Sequence, residues 1–582
     1  MEGVDIDKLA SMLAKVNLYI QALDWIKEGH KYKPGIQNRD FFELPLEPGY
    51  AYVATNPPYT RQEEMTMAYY DSRYKERLRR AVSDIGDWSE KSSIYAYFLV
   101  RAGKLLRAGG RLGFIVENSW LNAEYGKALK RWLFGNFGVE YVVESLVERW
   151  FEDAAIITNI IVAEKAKGSG ATRFVFLKRP IRDLIGEPPP ATDYTANERY
   201  YKGVMKIYEE ADGCEPREGG YSICESDNMR VVAASRDLIS LLDERMGRLG
   251  VLRGPREYLD LVFRHMRGDK DRVVLLGDVL RMKWGLKTNA NEIFYLPSKY
   301  WAYMGDDGVY LALRGPLGAL RMDKRYLRRL IRLAHLKDAP YRISEIPLLK
   351  REDYVLWVED KTTVRDPGTL RYIEWAERMI REEHGTDKRF PTLHASLSSS
   401  PSTWLRLPDT SGGTLIFRSA INKNYSVWLN TVEGAQVDHR IYAGYPRDEY
   451  RGRVSPETMF AVANSVLAYL GMELMGGANL GMGALDMKTV DYEVVPIVNP
   501  AWLEDHLKER GIFEEFLSAV RAMLELKPAD IEVEARRPER MAVEKYVLGP
   551  LGFSEGAVRR LYDELIRLVR FRTERAKNIG LQ

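Results

Sequence analysis

Cysteine is almost absent from this chain: Cys214 and Cys224 are the only two among 582 residues. Two cysteines exclude a disulfide-built scaffold and a four-thiolate metal site. No run of about 18 apolar residues is present, so a membrane-spanning helix is not expected. Met1–Lys8 carries acids where a secretory leader would carry basic residues. Together these absences predict a cytoplasmic protein. Net charge is nearly missing too, with 86 Lys and Arg against 83 Asp and Glu. The hydrophobic share of 45% and charged share of 29% exclude a disordered or fibrous chain. The length is too great for one core, so several domains are expected.

What is present is uneven. Between Arg314 and Arg351 eleven Lys and Arg stand against three acids, Asp323, Asp338 and Glu345. Such a stretch is either a solvated helix face or a surface for a polyanion. Over the first 165 residues strand-like and helical patterns alternate, which predicts a parallel α/β sheet. Strands are expected at Glu2–Ile6, Tyr50–Thr55, read as buried, and Leu112–Val116. Val139–Leu146 and Thr158–Ala163 read as an antiparallel hairpin at a sheet edge. Leu9, Leu13, Val16, Ile20 and Leu23 recur at helical spacing within Lys8–Ile26. Further helices are expected at Tyr95–Arg107 and Glu124–Phe134.

Arg179–Ala191, with the triple proline at 188–190, reads as a linker. The expected domains are 1–180, a connector at 181–270, an α+β module at 271–500 and a helical region at 501–582. Ser554 is the expected N-cap of the last helix.

One short motif carries chemistry. Asn56-Pro57-Pro58-Tyr59 directly follows the strand Tyr50–Thr55. The carboxyl edge of an α/β sheet is where ligands bind, and two prolines stiffen the turn that presents the Asn amide and Tyr ring. On its own the motif reads equally as a proline-rich turn with a capping Asn.

With its surroundings the motif resembles the S-adenosylmethionine-dependent N6-adenine DNA methyltransferases of the gamma motif order. The large methylases and methylase–endonucleases of restriction–modification systems are the most similar members. In that family Asn-Pro-Pro-Tyr is catalytic, which implies roles for Asn56, Pro57, Pro58 and Tyr59. Gly3-Val4-Asp5-Ile6-Asp7 is similar to the second-strand motif, so Asp5 and Ile6 would meet the cofactor ribose and adenine. Arg39-Asp40-Phe41-Phe42 resembles the third-strand motif, with Asp40 at the adenine amino group and Phe41 on its ring. Gly109–Val116 and Asn118-Ser119-Trp120-Leu121 match the fifth-strand region. Val147-Glu148-Arg149-Trp150-Phe151 resembles the segment whose aromatic, by register Phe151, stacks on a flipped base.

Lys283-Trp284-Gly285-Leu286-Lys287-Thr288-Asn289, Gly476–Leu485 and Tyr492–Pro496 resemble the family's target-recognition domain. The resemblance implies a Rossmann-like methyltransferase sheet, S-adenosylmethionine as cofactor, double-stranded DNA as partner and no metal. Lys283, Trp284, Lys287, Arg328, Arg329, Arg418 and Lys423 are the expected DNA contacts, and with the rest of the Arg314–Arg351 stretch they are expected on one side of a cleft facing Asn56.

The family's first strand and its Gly-rich cofactor loop precede the Asp5 strand, and here Met1 stands four residues before Asp5. The expectation is a sheet with its first strand missing, completed by an N-terminal partner polypeptide or lost by truncation. Two other functions stay open: a catalytically impaired DNA-binding specificity subunit, and a methyltransferase acting on RNA or protein glutamine.

Overall fold

The computed structural model describes residues 2–59, 72–151, 156–166, 170–189, 194–217, 220–266, 268, 271–382, 390–477 and 483–577. Two compact units result, Met1–Arg256 with Glu574–Gln582, and Glu257–Thr573.

The first unit opens with β1 (Glu2–Asp5), parallel to β2 (Gly35–Asn38) in a two-stranded sheet. Between them run α1 (Lys8–Gln21) and the short α2 (Leu23–Lys27). Asp7 caps α1 by accepting from the Ala10 N–H at 2.7 Å. The helix matches its sequence pattern, but the apolar face is not buried: Leu9 is 64% exposed and Leu13 55%.

A separate seven-stranded sheet follows. Its strands are β3 (Tyr50–Thr55), β4 (Leu106–Glu117), β5 (Gly138–Ser145), β6 (Thr158–Glu164), β7 (Thr172–Leu177), β8 (Tyr221–Glu225) and β9 (Met229–Ala234). They lie in the order β3-β4-β6-β5-β7-β9-β8. β3 and β4 are parallel, and β6 is antiparallel to both its neighbours. Helices α3 (Ser72–Ala81), α4 (Ile94–Leu105) and α5 (Gly126–Asn136) complete the part nearest the site. α4 is buried almost all round, as its continuous apolar composition requires.

Two expectations change here. The antiparallel pair β5–β6 forms, but it sits inside the sheet because β7 adds parallel to β5. The stretch expected as a connector supplies β8 and β9, which extend the same sheet through β7. Cys214 and Cys224 are joined in a disulfide that closes ten residues of sequence.

In the second unit, Leu280–Trp284 edges a five-stranded sheet whose next strand is Ile441–Pro446. Ala302–Asp306, Tyr310–Gly315 and Gly318–Asp323 form an antiparallel meander. The basic stretch from Arg314 to Arg351 is therefore mostly strand and loop, not a helix face.

The helices Pro500–Glu509, Phe513–Leu524, Pro538–Leu548 and Glu555–Lys577 follow, with Ser554 capping the last through the Ala557 N–H at 3.3 Å. Up to Thr573 they belong to the second unit, not to a region of their own. Arg540, 1% exposed, anchors them by reaching Glu534 at 2.7 Å, the Asn464 carbonyl at 2.6 Å and the Tyr341 hydroxyl at 2.7 Å.

Candidate active site and nucleic-acid interface

β3 ends at Thr55 and the chain turns through Asn56-Pro57-Pro58-Tyr59. Asn56 and Pro58 are exposed, Pro57 is buried and Tyr59 lies between. The fixed φ of two consecutive prolines holds Asn56 and Tyr59 on one turn, where the Tyr59 hydroxyl donates to Asn56 Oδ1. The same hydroxyl lies 3.3 Å from the carbonyl oxygen of Ile115 on β4. Burial, reinforced by the Glu117 carboxylate, pushes the Tyr59 phenol up to about 12. It therefore stays protonated at neutral pH and remains a donor. The Asn56 carbonyl oxygen keeps a second lone pair for another donor.

Aromatic rings line this turn. The Tyr59 ring lies 6.4 Å from that of Tyr95 on α4 and 6.3 Å from that of Phe151. Tyr59 and Phe151 are tilted by 54°, so they face one space without forming parallel walls. Behind them the Tyr95 hydroxyl meets the Tyr125 hydroxyl at 2.9 Å, and Tyr125 meets Ser119 Oγ at 2.6 Å. The family resemblance pointed to Asn56 and Tyr59 through the motif and to Phe151 through the Val147–Phe151 segment. Tyr95, Tyr125 and Glu117 come from α4, α5's lead-in and the end of β4, and only the packing of those elements brings them here.

Four residues were expected at the cofactor. Asp5 is exposed at the carboxyl end of β1 and Ile6 beside it is 70% exposed. Asp40 is 7% exposed, and its two oxygens accept from the Phe42 N–H at 2.9 Å and from Arg77 Nη1 at 2.8 Å. Phe41 stacks on Phe98 of α4, with centroids 5.2 Å apart and planes 7° from parallel. The set offers an open carboxylate, an exposed branched apolar side chain and an aromatic face, the chemistry an adenosine moiety asks for. Arg77, on α3, was not foreseen. It pairs with Asp40 across 37 residues of sequence, and nothing local in either segment signals that.

In the second unit, Lys283 and Trp284 project from the edge strand Leu280–Trp284, with Trp284 57% exposed. Lys283 Nζ lies over the Tyr445 ring, 4.6 Å from its centroid. Gly285 then passes so close to Asp438 that a Cβ would meet its carbonyl oxygen at 2.0 Å, which fixes where the strand ends. Lys287 and Arg328 are exposed, and Lys423 is half-buried.

Two of the expected arginines are structural in this arrangement. Arg329 stacks over Tyr354 at 4.7 Å and donates to the carbonyls of Ile346 and Pro347. Arg418 stacks on Trp428 at 4.7 Å, and burial lowers its pKa. Gly476–Leu485 falls partly outside the described residues. Among the described residues no single helix is long and apolar enough to cross a membrane.

Known proteins resemble this chain in part. The type II methyltransferase M.PaeR7I of Pseudomonas aeruginosa is 28% identical over 224 residues, 36% of this chain and 35% of that protein. The type II methyltransferase M.XhoI of Xanthomonas vasicola is 25% identical over 217 residues, 36% of this chain and 37% of its own length. The match thus spans little more than a third of either relative. Among solved structures, the type IIL restriction-modification enzyme MmeI in complex with DNA aligns over 97% of this chain and 66% of its own, at 11% identity and a TM-score of 0.47. Residues 1–151, which hold β1 to β5 and every expected catalytic and cofactor residue, match the sequence profile of the Eco57I restriction-modification methylase family.

Proposed function

We propose that the first unit methylates the exocyclic N6 of adenine in double-stranded DNA, using S-adenosylmethionine, and that the second unit recognises the target sequence, as part of a restriction–modification system in the cytoplasm. The observation that carries this reading is the Asn56–Tyr59 turn at the carboxyl end of β3, with the rings of Tyr59, Tyr95 and Phe151 around it. The family match over residues 1–151 supports it.

The adenine amine is a weak nucleophile because its lone pair is delocalised into the ring, and inside a duplex it is out of reach. Flipping the base out costs a few kcal/mol. Tyr59 and Phe151 can recover part of that, since stacking is worth about 1–3 kcal/mol per base. Because their planes differ by 54°, sandwiching a base between them requires one ring to turn. Asn56 Oδ1 and the Pro57 carbonyl can each accept a hydrogen bond from the amine, which draws the nitrogen toward a tetrahedral shape and aims its lone pair. The Tyr59 hydroxyl, bonded to Asn56 Oδ1, holds the amide in the accepting orientation. S-adenosylmethionine supplies an electrophilic methyl group when bound. Asp5 would hold its ribose, Asp40 its adenine amino group, and Ile6 and Phe41 its ring faces.

The reading includes a partner strand from outside these 582 residues, either continuous with them or on another polypeptide. Among the described residues β1 pairs only with β2 and β3 only with β4, so each has one open edge. The Tyr50 hydroxyl bonds the Glu2 carboxylate, which joins the starts of β3 and β1. Tyr52 on β3 is 76% exposed. Such a strand would carry the Gly-rich loop for the methionine half of the cofactor. Isothermal titration should find weak S-adenosylmethionine binding to this chain alone and tighter binding once the strand is added. Micromolar binding without it would overturn this part.

The reaction itself is tested by incubating unmethylated DNA and S-adenosylmethionine with the protein and the added strand, without which methylation should be poor or absent, then digesting to nucleosides for mass spectrometry. N6-methyldeoxyadenosine is the expected product. Methylcytosine, or methylation of RNA or protein in its place, would overturn the assignment.

A further inference from the structure

The second unit holds a groove of about 660 Å³ between the turn at Pro297–Trp301, the strand that starts at Ala302, and the Lys350-Arg351 corner. Tyr303 and Met304 form its apolar wall, with Met304 53% exposed. Lys299, Lys350 and Arg351 supply its charge, and among the described residues no carboxylate lines it. Lys350 Nζ stands over the Tyr303 ring, 5.7 Å from the centroid. Lys299 is held by Glu292 at 3.4 Å, whereas Lys350 and Arg351 form no ion pair with another described residue.

The corner that presents those two cations is unusually constrained. Lys350 and Glu352, on either side of Arg351, both sit in the left-handed region at φ 58° and 55°. Two such residues cost free energy that other interactions must offset. Those interactions are visible. Buried Asp353 accepts from the Leu349 N–H at 2.9 Å and the Arg351 N–H at 3.2 Å, and its side chain meets His335 Nε2 at 3.1 Å. Arg332 Nη2 donates to the Arg351 carbonyl at 2.7 Å and Arg332 Nη1 to the Glu352 carboxylate. The Glu352 N–H reaches the Pro297 carbonyl at 2.6 Å, tying the corner to the opposite wall. Arg329 braces the approach through Ile346 and Pro347. The basic stretch thus divides its labour: Arg329 and Arg332 are internal braces, while Lys350 and Arg351 are left facing the groove.

We propose that this groove binds one nucleotide segment of a nucleic-acid strand, its phosphates at Lys299, Lys350 and Arg351 and its base or sugar against Tyr303 and Met304. A nucleotide is a planar apolar ring joined to an anion, and the groove offers an aromatic and thioether wall inside a rim of cations. This rests on the DNA reading above and narrows the basic Arg314–Arg351 stretch to its Lys350-Arg351 corner, joined by Lys299, Tyr303 and Met304 from outside that stretch.

The test uses the full chain with a fluorescein-labelled duplex of about 20 base pairs, read by anisotropy across a sodium chloride series. Lys350→Gln with Arg351→Gln should weaken binding about tenfold at low salt and reduce the salt slope by about two, one for each phosphate that no longer meets a cation. Glutamine tolerates the same backbone, and Lys299→Gln, outside the strained corner, should lower the slope by about one. Tyr303→Leu should weaken binding several-fold with the slope unchanged. A charge-matched control, Arg559→Gln with Arg567→Gln on the C-terminal helix, should shift affinity less than about twofold. Wild-type binding with unchanged affinity and slope in the groove variants overturns the groove while leaving the DNA reading intact. So does loss of polyglutamate binding in those variants with DNA binding retained, which would make the ligand an acidic peptide. A wild-type chain that binds no DNA at about 50 mM salt, where such electrostatic attraction is strong, overturns both.

Discussion

Helix α1 turns Leu9, Leu13, Val16 and Ile20 to solvent, at 45 to 64% exposure, and buries Ser11, whose hydroxyl bonds the carbonyls of Asp5 and Asp7. Helix Pro538–Leu548 does the reverse, burying Arg540 and Glu544 at 1% exposure each. Both depart from apolar-in, polar-out, and for one reason. Arg540 lies inside because Glu534, Asn464, Tyr341 and Tyr469 accept its hydrogen bonds. The α1 leucines lie outside because no described residue covers them. Burial follows the partner that is available, and a contiguous exposed apolar face marks a partner still to be met.

The largest effect should come from removing a buried partner. Arg540→Ala takes the guanidinium from Glu534 Oε2, while Arg537 still holds Oε1 at 2.6 Å. It also strips the Asn464 carbonyl and the Tyr341 hydroxyl of their buried donor, and should destabilise the second unit by about 3 kcal/mol in urea unfolding. A loss under about 1 kcal/mol would mean that the buried network does not hold the C-terminal helices.

Glu544 should give an effect no larger than this, and one that depends on pH. Its Oε1 accepts from the Val466 N–H at 2.6 Å and the Tyr562 hydroxyl at 2.7 Å, while Oε2 is buried without a hydrogen bond among the described residues. Burial pushes its pKa up to about 7. A carboxyl whose folded pKa is raised favours folding when protonated. Its contribution is full below the ordinary value near 4.5 and is lost as pH rises to about 7. Glu544→Gln should therefore raise stability at about pH 8 by up to about 3 kcal/mol and change it little at about pH 5. Equal effects at both pH values would contradict a raised pKa.

The smallest effect is expected on α1. Leu13→Ser with Val16→Ser should alter the unfolding free energy of this chain by less than about 0.5 kcal/mol per site, as at other surface positions. A loss of several kcal/mol would show that the face is already covered.

Part of this was legible from sequence. Tyr50–Thr55 and the Asn56 turn are local signals, a β-rich run stopped by two prolines, and they form where read. The strand expected to be buried, however, lies at a sheet edge with no residue buried and Tyr52 76% exposed. The strand cores at Leu112–Val116 and Thr158–Ala163 and the Ser554 cap also form where read. Strand order was not legible: β7 adds beside β5 across the intervening β6, and no pattern within either strand announces its neighbour. The disulfide escaped notice because ten residues of spacing say nothing about whether two Cβ atoms meet. Helical periodicity showed that α1 has an apolar face and could not show what lies against it. Arg329 and Arg418 looked like phosphate ligands because a basic stretch does not reveal which guanidinium stacks on Tyr354 or Trp428.

The central claim is that Asn56 helps activate an adenine amine, and Asn56→Ala tests it most directly. Single-turnover methyl transfer is measured at saturating S-adenosylmethionine with the partner strand supplied, beside duplex affinity by anisotropy. The account expects the transfer rate to fall to background while DNA binding stays within a few-fold, because the missing acceptor acts mainly in the transition state. A variant that transfers methyl groups at near the wild-type rate would contradict it.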